Sequence, residues 1–264
     1  MLLNSMVNEA LLIGLNTDVE VTFRNQETLF GNLQSLKRLW LWILFSDFDV
    51  ALQMGSLLKV PDELIIDRSV FEIDKENPDS IYNLTGSFLK MARPMLLSIF
   101  HRDLTPNLLS YCEEIIQFIE TRFPPIAYYT DTDLINETSL RATIVLSAVI
   151  SLLLAFYGLR YLALNERTSN MRSALGTTTL VAFALSINLI MKNYEKDQIK
   201  YPDTLKGDLV NLSPYMCLTV SFLHRLIIRS LSVFYTTFYH RLTAFENGSI
   251  MLNSEEKNAV NMKS

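Results

Sequence analysis

The sequence is poor in the residues that form metal sites and disulfide-stabilised domains. Its 264 residues include two cysteines, three histidines and eight glycines. Cys112 and Cys217 lie in different regions without the paired spacing of a zinc site, and two cysteines give no disulfide framework. The composition therefore predicts no metal site, and it fits a reducing compartment.

Motifs for catalysis and cofactor binding are missing as well. The sequence contains no G-x-S-x-G nucleophile motif, no P-loop and no G-x-G-x-x-G dinucleotide fingerprint. The adjacent acids Glu113 and Glu114 point in different directions on a helix, so they do not form an acid–base pair. We predict no catalytic residues, no cofactor and no small-molecule substrate, and hence a protein that is not an enzyme.

Charge is distributed unevenly along the chain. Residues 1–138 hold 10 Lys and Arg against 20 Asp and Glu, whereas residues 139–264 hold 13 against 8. Because phosphate contacts require Lys and Arg, the acidic first half predicts that nucleic acid is not a partner. The change of sign near residue 138 predicts two parts with different surroundings.

Two long runs without any charged residue stand out in an otherwise ordinary chain of mean hydropathy +0.20. They cover residues 142–159 and 173–191, and each has about the length of a helix that crosses a bilayer. The linker between them is short, which favours antiparallel packing. The sequence therefore predicts a transmembrane helical hairpin over residues 139–192.

Small residues recur every four positions in both runs, and such stripes allow two helix backbones to approach closely. We predict that the stripes form the contact between the two helices. Their members are Ser147, Ser151 and Ala155 in the first run and Thr178, Ala182 and Ser186 in the second.

Residues 193–246 form a predicted membrane-associated amphipathic region. On a helix over residues 212–242, Arg225, Arg229 and His240 fall on one polar stripe, and the remaining surface is apolar and aromatic. One interpretation places this helix flat in the membrane interface with its basic stripe toward lipid headgroups. The other makes it a third span whose stripe faces a partner helix.

Residues 1–138 form a predicted N-terminal domain, mostly helical and cytosolic. A helix over residues 27–45 ends in the apolar run LWLWILF, in which Trp40 and Trp42 are predicted to face lipid or a partner. Thr105-Pro106 predicts the start of another helix, because Pro is favoured at the first helical position.

The apolar face of that second helix is predicted from Leu108, Leu109, Cys112, Ile115, Ile116 and Ile119. Strand-like alternation appears at residues 18–23 and again at about 64–73. Residues 247–264 are polar and are predicted to form a disordered tail.

The predicted fold class is mainly α, with an N-terminal helical domain, a two-helix transmembrane hairpin and an amphipathic or third membrane helix. The predicted function is a non-enzymatic integral membrane adaptor or organelle-membrane organisation factor. Its predicted partners are the lipid bilayer and other membrane or cytosolic proteins. An accessory subunit of a multi-pass complex and a membrane-embedded lipid-modifying enzyme are the alternatives. The expected location is the endoplasmic reticulum or nuclear envelope, or else a mitochondrial membrane, with a cytosolic N-terminus.

Overall fold

The computed structural model describes residues 2–24, 32–78, 80–100, 108–130, 137–163, 168–200 and 214–246. Helices make up most of these ranges, and no strand occurs within them. The prediction of a mainly α fold is therefore confirmed. The predicted tail over residues 247–264 lies outside the described residues.

The helices follow one another along the chain in a simple order. They are α1 (Leu2–Leu12), α2 (Val19–Thr22), α3 (Leu33–Met54), α4 (Ile81–Phe100), α5 (Leu108–Arg122), α6 (Ile126–Thr130), α7 (Glu137–Gly158), α8 (Ser169–Lys200) and α9 (Pro214–Glu246). Two 3-10 turns, Asp62–Leu64 and Arg68–Glu72, lie between α3 and α4, and a π-helical turn, Leu159–Ala163, extends α7.

Both predicted strands are wrong. The first becomes α2, because the side chain of Asp18 accepts hydrogen bonds from the backbone N–H groups of Glu20 and Val21 and so caps a helical turn. The second becomes the pair of 3-10 turns, of which the later one is capped by Asp67. Hydrogen bonds between these side chains and the nearby backbone stabilise helical turns, so the short alternating pattern does not lead to a strand.

Helix α3 contains most of the helix predicted over residues 27–45, although residues 25–31 lie outside the described part. It begins after Asn32, whose side chain accepts from the backbone N–H of Gln34 at 2.9 Å. It ends at Gly55, which adopts the left-handed conformation with φ +61°. The helix is longer than predicted because Phe48, Ala51 and Leu52 continue its buried face beyond the apolar run.

The apolar face predicted for α5 is confirmed in its first turns, where Leu108, Cys112 and Ile115 are buried. Leu109 is exposed, so the buried face is narrower than predicted. The predicted cap at Thr105-Pro106 lies outside the described residues.

Helix α7 lies at the centre of the fold. It packs against α3, α4, α5, α8 and α9. Val145, Val149, Leu152, Leu154 and Phe156 are completely buried along it, although they point in several directions around the helix. A helix surrounded in this way must be mainly apolar on all sides, which explains why α7 carries no charged residue from Ala142 onward.

The predicted transmembrane hairpin is not supported. Two helical segments, Ala142–Tyr161 and Ser169–Lys192, are long and apolar enough to cross a bilayer by length and composition alone. In the most apolar part of the first segment 78% of the residues are buried inside the protein itself, against 33% for the second. A core helix of a water-soluble protein has the same composition as such a span, so the charge-free runs do not establish a membrane anchor.

A pair of helical glycines offers a test of the packing of α4. A Cβ atom at Gly86 would overlap the backbone carbonyl of Phe71, whereas one at Gly176 on α8 would meet nothing within 4 Å. We expect Gly86→Ala to lower the free energy of unfolding by about 1–3 kcal/mol through overpacking. Gly176→Ala should raise it by about 0.5–1 kcal/mol, because alanine loses less backbone entropy in a helix. Urea denaturation of both variants measures the difference, and equal effects would contradict the close approach of α4 to Phe71.

Candidate functional site: an arginine clasp on helix α9

Two arginines of α9 reach across to α3 and α7. The Arg225 Nη1 donates to Asp49 Oδ2 on α3. The Arg229 Nη2 donates to the Leu52 carbonyl at 2.7 Å, and its Nη1 donates to the Ser151 carbonyl of α7 at 3.1 Å. We call these contacts the clasp, since they attach α9 to two other helices at once.

The clasp uses acceptors that the helices themselves leave available. Leu52 lies in the last turn of α3, where backbone carbonyls lack a partner within the helix. A cation near this end of a helix is also favoured by the helix dipole. The carbonyl of Ser151, in the middle of α7, accepts from Arg229 through its second lone pair.

The carboxylate of the clasp is more deeply buried than its partner. The side chain of Asp49 is 4% exposed, whereas that of Arg225 is 41% exposed. Burial raises the pKa of Asp49, and the nearby Arg225 only partly offsets this effect. Burial likewise lowers the pKa of Arg229, with Asp49 opposing. The guanidinium of Arg225 also lies 5.3 Å from the ring centroid of Phe222.

A second buried charge cluster lies on the other side of α3. The carboxylate of Asp47 accepts from the backbone N–H groups of Lys59 and Val60 at 2.8 and 3.1 Å. Arg93 of α4 donates to Asp62 at 3.2 Å and to the Val60 carbonyl. Burial lowers the pKa of Arg93, and the two acids oppose this shift. This cluster attaches the segment after α3 to α4.

Asp47 and Asp49 serve different partners because of helix geometry. Two residues apart on an α-helix correspond to a rotation of about 200°, so the two side chains leave α3 on nearly opposite sides. Asp47 therefore binds the segment that follows α3, and Asp49 binds α9. Neither acid is among the predicted site residues. The sequence could have pointed to both acids, because they lie within an apolar helical run. A carboxylate that is buried in such a helix requires a partner.

The structure places the predicted lipid- or partner-facing residues at different depths. Trp40 is 1% exposed and lies in the core, and Trp42 is half-buried with its ring 5.3 Å from that of Phe45. Arg225 and Arg229 contact acceptors of their own chain. His240 is half-buried, with its ring centroid 6.2 Å from that of Tyr239.

The residues predicted to pack the two apolar helices are all at least partly buried. Ser147, Ser151, Ala182 and Ser186 are buried, and Ala155 and Thr178 are half-buried. Their neighbours differ, however. Ala155 lines a cavity with Arg229 of α9, and Thr178 lines another with Leu146, Ile150 and Leu153 of α7. The face of α7 beside Thr178 is thus an aliphatic one.

The clasp holds α9 against α3 and α7 through hydrogen bonds and an ion pair. Its charged groups are held by one another and by backbone carbonyls, and within the described ranges no three metal-binding side chains come together. The two histidines of α9, His224 and His240, are separated along the helix by about 24 Å at 1.5 Å per residue, so they do not share one site.

Comparison with known proteins identifies relatives among transcription factors of Saccharomyces cerevisiae. The chain is 34% identical over 267 residues to the zinc finger transcription factor YRM1, covering 94% of this chain and 33% of that protein. It is 30% identical over 263 residues to the zinc finger transcription factor YRR1, covering 95% and 32%. The transcription factor PDR8 is 22% identical over 255 residues, covering 95% and 35%.

The chain thus spans about a third of the length of the curated relatives that it matches. No family model matches it, and no solved structure matches it.

These relatives overturn the predicted function. The prediction of an integral membrane adaptor or organisation factor is wrong, because the similar proteins are transcription factors. The alternatives of an accessory membrane subunit and a lipid-modifying enzyme are wrong for the same reason. The prediction that nucleic acid is not a partner is contradicted by two relatives that are zinc finger transcription factors. The prediction of a lipid bilayer as a partner is wrong for the same reason. The predicted location in the endoplasmic reticulum, the nuclear envelope or a mitochondrial membrane is wrong as well.

Replacing Arg229 tests how firmly the clasp holds α9. Arg229→Leu removes the side-chain donor to the Leu52 carbonyl and the second donor to the Ser151 carbonyl, and we expect it to cost about 1.5–3 kcal/mol of unfolding free energy. Amides of α9 should exchange with solvent faster in hydrogen-exchange measurements. Arg172→Leu, at an exposed position of α8, is the matched control and should stay within about 0.5 kcal/mol of the parent. Equal effects of the two substitutions would contradict the clasp.

The buried carboxylate predicts a pH dependence of known sign. Because the folded-state pKa of Asp49 is raised above 3.8, its contribution to stability is present at low pH and is lost as pH rises through the folded pKa. The unfolding free energy of the parent minus that of Asp49→Asn should therefore fall as pH rises. Urea denaturation of both proteins between about pH 3 and pH 7 measures this difference.

Glu72→Gln provides a control of opposite sign. Hydrogen bonds and charges from Lys75 and Lys90 lower the pKa of the exposed Glu72, so its contribution is present at higher pH and is lost as pH falls. For Glu72 the unfolding free energy of the parent minus that of the variant should rise with pH. If the same difference for Asp49→Asn also rose with pH, pairing with Arg225 would outweigh burial in setting the pKa of Asp49.

Proposed function

We propose that this chain is the regulatory region of a nuclear transcription regulator and that it acts through binding, not catalysis. The observation that carries the proposal is the 34% identity to a zinc finger transcription factor over 94% of the chain. Similarity to two further transcription factors over 95% of the chain supports it. Transcription factors are generally not enzymes, in keeping with the paired and immobilised charges of the clasp.

The proposed role of this region is distinct from DNA contact. A zinc finger requires four ligands with paired spacing, and this sequence has two distant cysteines and three scattered histidines. We propose that zinc binding and DNA contact belong to a part of the protein outside this region, as a match to one third of each relative allows.

The described helices support a single regulatory unit. One apolar cluster contains buried residues from α1 through α9, and the clasp joins Asp49 to Arg225 across 176 positions of sequence. The predicted domain boundary near residue 138 stays a prediction. Apolar contacts and the Asp49–Arg225 ion pair connect residues before this position with residues after it.

A tethering experiment tests the proposal directly. The full chain is fused to a bacterial DNA-binding module, and transcription is measured from a reporter that carries the cognate operator. We expect the fusion to raise or lower transcription relative to the module alone. The fusion should also be recovered from nuclei.

Two variants sharpen the outcome. Arg229→Leu should change the output of the fusion, because it releases α9, and Arg172→Leu should leave it unchanged. Immunoblotting checks that the fusions accumulate equally. A reporter that responds identically to the module alone and to the fusion would overturn the proposed function.

A further inference from the structure

An apolar face made by α8 and α9 is exposed to solvent. Its members lie on one side of each helix, because they recur at spacings of three, four or seven residues. Between 41% and 69% of each member is exposed. The members are Leu180, Ile187 and Met191 on α8 and Ile228, Leu231, Phe234, Tyr235, Phe238 and Tyr239 on α9. We call these nine residues the α8–α9 face.

The two helices contribute to one surface and not to two separate ones. A shallow cleft of about 160 Å³ lies between them, and Leu180 lines it from α8 while Leu231 and Phe234 line it from α9. The cleft has room for one aromatic ring, since a cavity of about 150 Å³ accepts benzene. Next along α9, the rings of Tyr235 and Tyr239 are stacked at a centroid distance of 6.4 Å. The α8–α9 face therefore has both a cleft and an aromatic ridge.

The α8–α9 face carries no charged side chain. Residues 173–191 of α8 and 230–240 of α9 contain no Asp, Glu, Lys or Arg. A charged group that is buried against such a surface loses its hydration without gaining a partner. Nucleic acid and strongly charged peptides are therefore poor occupants, and a partner must offer an uncharged apolar surface of its own.

The area of the face is sufficient for a stable contact between proteins. At roughly 200 Å² for a whole aromatic residue, its four aromatic residues expose about 450 Å². At roughly 120 Å² for an aliphatic side chain, its five aliphatic residues add about 300 Å². The total exceeds the roughly 300–600 Å² of the largest apolar patch on a typical monomer. It is close to the ~800 Å² that each partner buries in an interface of standard size.

We propose that the α8–α9 face is an interface between two copies of this chain. Each copy offers the uncharged apolar surface that the other requires, and the two surfaces have the same area. A twofold pair is the commonest symmetric assembly, and in such a pair the same patch of both subunits meets itself. The aromatic ridge of one copy then lies at the cleft of the other, where ring contacts add to apolar burial. A bilayer is not expected to cover the face, because the similar proteins are transcription factors.

Multi-angle light scattering of the purified full chain tests the proposal, over a range of about 0.1–50 µM that suits interfaces of this area. The expected mass is twice the 30.3 kDa of one chain. Leu231→Glu places a carboxylate in the face of each copy, where burial of the charge is unfavourable. We expect this variant to weaken self-association by about thirtyfold or more, as the loss of an interface hot spot does.

Leu109→Glu is the matched control. Leu109 lies on α5, outside the face, and it is 50% exposed, against 51% for Leu231. This control should dimerise like the parent. Circular dichroism checks the folding of each variant. Tyr235→Ala removes apolar surface at a highly exposed position without adding a charge, and it replaces Leu231→Glu if that variant does not fold.

A parent chain that stays monomeric over the whole range would overturn the proposal, and the face would then be left to another part of a longer protein or to a different protein. Dimerisation that is unchanged by the substitution in the face would place the contact elsewhere and would also refute it. A mass that grows beyond two chains would contradict a twofold pair, which closes on itself. The mass is measured without transcription, so failure of the dimer and failure of the proposed function are distinguishable.

Discussion

Burial of α7 on every side is the constraint on which the rest of the structure depends. Its completely buried Val149, Leu152 and Phe156 need apolar neighbours from five other helices, and those helices are arranged around it accordingly. At about 25 cal/mol per Å² of apolar surface, burial of such side chains is the main favourable contribution to folding. The same arrangement creates the surroundings of low polarity in which Asp49, Arg93 and Arg229 require partners.

The buried charges give this helical bundle its specificity. Apolar packing alone allows a helix to slide or rotate, because similar aliphatic side chains can exchange places. A guanidinium that must find two particular carbonyls allows little such freedom, and Arg229 fixes α9 against both Leu52 and Ser151. The cluster of Asp47 and Arg93 does the same for the segment between α3 and α4. Buried ion pairs add little net stability, so their main effect here is to define positions.

The helical character of the chain and the apolar face of α5 could be predicted from periodicity, because long amphipathic patterns depend on local sequence. The strands at residues 18–23 and 64–73 could not be excluded, since capping by Asp18 and Asp67 is a hydrogen-bonding detail that alternation hides. The membrane error has a different origin. A charge-free helix is equally apolar whether lipid or protein surrounds it, and only its neighbours decide between them. Likewise, the polar stripe of α9 was visible in the sequence, but its partner Asp49 lies 176 positions away.

That separation has a consequence for how the chain folds. Contacts distant in sequence close large loops and form late, whereas local helical contacts form early. We therefore expect the clasp and the packing of α9 against α7 to form late in folding. While the protein is being synthesised, α7 emerges from the ribosome more than 60 residues before Arg229, and the part of its apolar surface that α9 covers stays open until α9 follows. Such a nascent chain is a natural client for chaperones that bind exposed apolar segments.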